Sequence, residues 1–279
     1  MNISILIPIH ECDDSVTPLL SQAVETVVTQ EKIEELPKIY LVFPPEIKDA
    51  VVGWRDSMIR KYQEKINHNS FVLVENDGTT DFQNQVNVGA EKIETDYFSI
   101  LEFDDEYSTT YFFNAEKYVK HFTDVDIFLT MMVEVNRDGA ATKLTNELVW
   151  SQQFAGENGE MGFLNQNTIK QNTDFKISGA VINREEFINI GGLKSNIKLT
   201  FNYEFLLRAL NNACKICTIP KIGYKHLTER EGSLFDGYLK NMPINERKFW
   251  FDTATREANF TNDRIIDTTP LQKIVVEEK

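Results

Sequence analysis

Tyr97-Phe98-Ser99-Ile100-Leu101 runs directly into Glu102-Phe103-Asp104-Asp105-Glu106. The first five residues read as a buried strand, and the acids mark where it leaves the core. Closely spaced carboxylates at a strand end are hard oxygen ligands of the kind that hold Mg²⁺ or Mn²⁺. Acid clusters in such places are also ordinary solvated loops, so the neighbouring elements decide the reading.

Outward from this stretch, Val86 to Ile93 reads as a helix leading into the strand, and Phe71 to Val74 as an earlier strand. Ile39 to Phe43 is another strand, stopped by Pro44-Pro45, with a helix from about 46 to 66 after it. At the start, Ile3 to Ile9 is apolar and β-rich, and Leu19, Leu20, Ala23, Val24, Val27 and Val28 recur at helical spacing. Strands alternating with helices predict an α/β fold with a mostly parallel, twisted, Rossmann-like sheet and helices on both faces. Ligands of such sheets gather at the carboxyl ends of the strands. His10-Glu11, Pro44 to Glu46, Asn76-Asp77 and Glu102 to Asp105 all fall there.

Beyond residue 124 the pattern changes. Asp126 to Val135 and Leu144 to Gln153 read as strands, with a Gly/Asn/Gln-rich loop after the second. Phe175 to Ile182 reads as a strand, Arg184 to Ile188 as a short helix, Gly191-Gly192 as a turn and Tyr203 to Asn212 as a helix. A strand from Lys215 to Ile219 meets Pro220, and a last helix runs from Ile244 to Ala258. The division expected is one domain over 1–240 and a C-terminal helical extension and tail over 241–279.

With 279 residues and 42% hydrophobic content, the chain has enough apolar surface for a substantial core. A formal charge of −14 argues against a broad nucleic-acid or anionic-membrane partner, leaving room for a locally basic pocket. No run reaches the ~20 apolar residues of a membrane span, and the first strand lacks the features of a signal peptide. A cytoplasmic protein is the expectation. Cys12, Cys214 and Cys217 are an odd set without a second pair for zinc, and read as packed thiols.

The chain resembles the family 2 glycosyltransferases of the GT-A fold over roughly residues 1 to 235. ISILIPIHE is similar to their opening strand with its Pro-x-x-Asn/Glu end, and Val24 to Gln30 to the helix ending in Gln. Gln85 to Tyr107 resembles the Asn-x-Gly helix and the strand bearing Asp-x-Asp. Ser178 to Leu193 is similar to the acceptor-side strand, helix and Gly-Gly turn, and TFNYEFLLRAL puts Arg208 in register with the family's arginine. Tyr224-Lys225-His226 resembles the terminal Tyr-x-His.

The resemblance implies an inverting, metal-dependent transfer of a sugar from a UDP- or GDP-sugar to a saccharide or glycan hydroxyl. It places the donor at Pro8, Ile9, His10, Glu11, Glu46, Asn87, Gly89, Glu102, Phe103 and Asp104, and Mn²⁺ or Mg²⁺ at Asp104, Asp105 and His226. Ser178 and Gly179 fall on the acceptor side, and Asn202, Glu204 and Arg208 at the catalytic helix. His226 also has an ordinary reading as a structural hydrogen-bonder.

Three departures stand out. Glu102 replaces the first Asp of Asp-x-Asp. Val42-Phe43-Pro44-Pro45-Glu46 stands where the family carries Asp-Asp-Gly-Ser; the similar letters Asn76-Asp77-Gly78-Thr79 come one strand later and read as a turn. Asn202 occupies the place of the carboxylate that takes the acceptor proton. Glu204 is then the nearest carboxylate, either as base or as the partner of Arg208. These departures keep open a catalytically degenerate GT-A-like binding or structural module. A nucleotidyltransferase would want a Gly-rich, basic loop after the first strand, and IHECDDSVT has neither.

Overall fold

The computed structural model describes residues 2–147, 162–228, 230 and 232–266. Among the described residues nine strands form one sheet, in the order β3 (Phe71–Glu75), β2 (Ile39–Phe43), β1 (Ile3–Pro8), β4 (Tyr97–Ile100), β8 (Val181–Asn183), β6 (Ile127–Val135), β9 (Ile216–Leu227), β5 (Glu106–Tyr107), with β7 (Ala141–Thr145) on β6. The first half is parallel: β1 lies between β2 and β4, and β3 flanks β2. Beyond β4 the sheet is mixed. The short β8 runs antiparallel to both β4 and β6, which pairs parallel with the long β9. β5 and β7 add antiparallel edges.

Helices cover both faces, which is why every residue of β1, β2 and β4 is buried. Ile3, Ile5 and Ile7 face α1 (Thr17–Val28), α2 (Lys48–Lys61) and α4 (Tyr111–His121); Leu6 faces the other way, into the core shared with α3 (Phe82–Lys92). That second core also takes in α5 (Gln166–Gln171), α6 (Arg184–Asn189) and α7 (Phe201–Asn211). Each fully buried Ile or Leu contributes about 1.5–3 kcal/mol relative to exposure. Gly89 lets α3 approach the sheet: a Cβ there would lie 2.6 Å from Leu6 Cδ1 and 2.7 Å from Val42 Cγ2.

Several boundaries differ from expectation for physical reasons. Phe175 to Ala180 is not strand, because Gly179 has a φ of +71° and the Ala180 N–H closes a turn onto the Ile177 carbonyl. β9 does not stop at Pro220 but continues to Leu227, since the β6–β9 register shifts beside that proline and absorbs the missing donor. α4, the edge strand β5 and α8 (Leu234–Asn241) were not anticipated. The final helix, α9 (Ile244–Ala254), ends earlier than expected and gives way to a 3₁₀ turn. Of the strand expected from Leu144 to Gln153, the part past residue 147 lies outside the described residues, as do residues 154–161 of the loop after it and the tail from 267.

Phe249 and Trp250 of α9 pack on Ile197 and Ile266, while Phe251 is largely exposed beside Tyr203. None of the three cysteines is in a disulfide among the described residues, and Cys214 and Cys217 are buried. No helix among the described residues is long and apolar enough to cross a membrane.

Candidate functional site

The chain leaves the sheet at the carboxyl end of β4, where the Leu101 N–H makes its bond to the Leu6 carbonyl. A tight turn follows, closed by Asp105 N–H on the Glu102 carbonyl. The turn is fixed from β9: the Glu102 N–H donates to Tyr224 Oη at 3.0 Å, and Asp105 accepts from His226 Nδ1 and from the Leu227 N–H, both at 2.8 Å. Donor atoms of Glu102, Asp105 and His226 thereby come within 4.8 Å of one another. Two carboxylates and an imidazole form a hard oxygen and nitrogen set that fits Mn²⁺ or Mg²⁺.

The fourth member of the set stands beside them. Asp104 is paired with Arg230 Nε at 2.6 Å, and that guanidinium lies over the Phe103 ring and 3.6 Å from Glu11 Oε1. Of the expected metal ligands, Asp105 and His226 are therefore grouped with Glu102, whereas Asp104 faces an arginine.

The acids are electrostatically uncomfortable. Burial, then Asp105 and Glu102, push the Asp104 carboxyl up to about 7 despite Arg230. Glu102 is raised as well, by burial and by Asp105, while Ser178 Oγ donates to it at 2.5 Å. Burial opposes charge on His226, yet Asp105 and Glu102 overcome it and push the imidazole up to about 9. The turn holds more negative charge than its protein neighbours neutralise.

This turn forms one wall of a 270 Å³ cavity. Pro8, His10, Phe103, Ser178 and Asn202 line it along with Glu102, Asp104 and His226. Burial, which outweighs Glu11, holds the His10 imidazole below its ordinary value; its Nε2 lies 3.3 Å from Glu11 Oε1, and its ring packs 5.1 Å from Phe103. Gly179 lies against the Tyr224 ring, 2.4 Å from where a Cβ would sit, and its carbonyl accepts from Tyr111 Oη at 2.8 Å.

Other expected site residues are used elsewhere. Glu204 and Arg208 are completely buried and form a bidentate pair at 2.6 and 3.0 Å, and Arg208 also donates to the carbonyls of Ile190 and Gly192. Glu204 does not face the cavity, so the alternative of a structural pairing describes its geometry. Asn87 is buried and clamps the Gly-Gly turn through the N–H and carbonyl of Leu193. Gly89 serves helix packing and Ile9 lies in the core, its carbonyl accepting from Gln85. Glu46 is exposed and does not border the cavity. Asn76 to Thr79 is indeed a turn, closed by Asn76, with Asp81 capping α3 through the Asn84 N–H.

Charged residues at the cavity that the sequence reading missed include Asp81, Glu134, Lys176 and Lys198. Arg230 was missed too. Glu134 had a legible signal, being the one charge in the nine residues of β6. Lys176, Lys198 and Arg230 give an acidic chain a cavity with local cations suited to an anionic ligand.

No protein-family model and no curated protein sequence matches the chain. Among solved structures it is similar to TarS of S. aureus, a GT-A-type glycosyltransferase. The TM-score to TarS 1–349 in complex with UDP-GlcNAc is 0.61 at 14% identity, covering 85% of this chain and 61% of that one, so the chain spans about three fifths of that structure. For the complex with UDP the values are 0.59, 12%, 92% and 82%. For the longer TarS structure they are 0.61, 12%, 92% and 50%. The chain has the GT-A glycosyltransferase fold.

Proposed function

We propose that the chain is a glycosyltransferase of the family 2 type that transfers a sugar from a UDP- or GDP-sugar to a saccharide or glycan hydroxyl, with inversion and with a divalent cation. The observation that carries this reading is the cluster of Glu102, Asp105 and His226 within 4.8 Å in a GT-A fold, with Glu102, His226 and the adjacent Asp104 lining the cavity. Repelling carboxylates held at a strand end have no packing value, and a bound cation relieves them. Glu102, Asp105 and His226 would hold Mn²⁺ or Mg²⁺, with Asp104 joining as Arg230 moves aside. A cation there supplies positive charge for the departing diphosphate.

The chain's own residues do the rest. Pro8 and His10 border the cavity on the donor side of this reading, and Arg230, beside Asp104, supplies a cation to balance the charge of a diphosphate held at the acid turn. Ser178, hydrogen-bonded to Glu102, ties the acceptor-side loop to the acid turn. In an inverting transfer the acceptor hydroxyl attacks the anomeric carbon opposite the leaving diphosphate, so the two must approach from opposite ends of one cavity.

A second reading, a non-catalytic nucleotide-sugar-binding module, is favoured by one observation: Asn202 borders the cavity where the resemblance calls for a carboxylate. Release of nucleoside diphosphate from UDP-GlcNAc, UDP-glucose and GDP-mannose, with Mn²⁺ and with EDTA, separates the two. Mn²⁺-dependent release is the expected result; nucleotide binding with no release from any donor establishes the binding module.

A further inference from the structure

Resting on the glycosyltransferase reading above, we propose that Glu134 of β6, and not the start of α7, carries the carboxylate that takes the acceptor's proton. Such a group is required, because a neutral hydroxyl is a poor nucleophile and its proton must leave as the new bond forms. Asn202 has no basic atom to offer, and its Oδ1 already accepts the Ile177 N–H at 3.1 Å. Glu204 is sealed against Arg208 with both oxygens engaged. Of the acids that border the cavity, Glu102 and Asp104 belong to the acid turn, and Asp81 caps α3. Glu134 remains.

Its placement suits the task. A lone charge in an apolar, buried strand is costly unless something beyond packing retains it. Lys176 holds Oε1 at 2.9 Å, fixing the side chain, while Oε2 has no hydrogen-bond partner among the described residues. Glu134 stands opposite His226 in the β6–β9 register, one strand from the acid turn. Lys176 is two residues before Ser178, whose hydroxyl is on Glu102. The carboxylate is therefore presented to the same cavity as the acid turn, from the neighbouring strand.

In the step, the acceptor oxygen bonds to the anomeric carbon as its proton passes to Glu134. The bond from that carbon to the diphosphate oxygen breaks, and its electron pair leaves on the nucleoside diphosphate. Glu134 then returns the proton to water.

The test uses donor hydrolysis, in which water is the acceptor and no acceptor need be known. Wild type and Glu134→Gln are compared with Mn²⁺ and whichever of UDP-GlcNAc, UDP-glucose or GDP-mannose the wild type turns over, alongside calorimetric binding of the matching nucleoside diphosphate and thermal melting. Expected is a loss of turnover on the order of 100-fold, with nucleotide affinity and melting temperature unchanged. Turnover within tenfold of wild type overturns the proposal, as does loss of nucleotide binding along with turnover, which makes Glu134 a structural support. Should Glu134→Gln fail to fold, Glu134→Asp decides: reduced turnover at unchanged affinity supports the assignment, and wild-type turnover overturns it. A wild type that binds nucleotide but turns over none of the donors also overturns it, whereas a wild type that binds no nucleotide overturns the glycosyltransferase reading itself.

Discussion

The acid turn after β4 and the Glu204–Arg208 pair on α7 are both buried carboxylate sites, and the protein treats them in opposite ways. Glu204 gives both oxygens to one guanidinium, whose remaining donors reach two carbonyls, so the charges are matched within the fold. At the turn, three carboxylates share His226 and Arg230, and Asp104 is left with its carboxyl pushed up to about 7. A satisfied buried carboxylate holds a helix in place. An unsatisfied group of them at a cavity wall is set for a cation that the chain does not itself supply.

The comparison breaks most sharply at Glu204. Glu204→Gln leaves the buried Arg208 without its counter-charge and costs about 3–5 kcal/mol of stability, measured as a shift in denaturant midpoint. The folded fraction should bind UDP as wild type does. Loss of binding at intact stability would move Glu204 into the site and erase the contrast.

Asp104→Asn should act the other way. Mn²⁺-dependent UDP affinity falls on the order of 100-fold, the scale on which disrupted metal sites respond. Stability in EDTA near pH 8 holds or rises, because a carboxylate whose folded-state pKa is above its unfolded value opposes folding once ionised. A large drop in melting temperature would show that Asp104 supports the fold as Glu204 does.

The smallest effect is a pH dependence. His226 is raised from 6.5 to about 9 by Asp105 and Glu102 against the opposing effect of burial. Its contribution to stability is complete below pH 6.5 and is lost as pH rises through 9. In EDTA, wild type should lose melting temperature relative to His226→Gln across that window; parallel curves would contradict the pairing with Asp105.

Much of the first half was legible because a parallel sheet covered on both faces leaves continuous apolar runs, as in Ile3 to Ile9 and Ile39 to Phe43, that end abruptly in polar residues. The acid turn and His226 were legible by letter and order. Letters misled where a side chain had been turned to packing: Asn87 clamps the Gly-Gly turn, Gly89 clears Leu6, and Glu46 points to solvent. Arg230 reaches Asp104 across 126 positions of chain, a contact that no local pattern encodes. β9 ran past Pro220 because the bulge opposite it removes the need for the missing N–H, which a local reading of proline cannot foresee.

The central claim is that the acid turn is a cation-dependent nucleotide-diphosphate site. Its most direct test is calorimetric titration of the wild-type chain with UDP and with GDP, in Mn²⁺ and again in EDTA. Binding of at least one nucleotide in Mn²⁺, lost in EDTA and weakened on the order of 100-fold in Asp104→Asn, is the predicted result. Binding that is equal in Mn²⁺ and EDTA, or absent for both nucleotides, would contradict it.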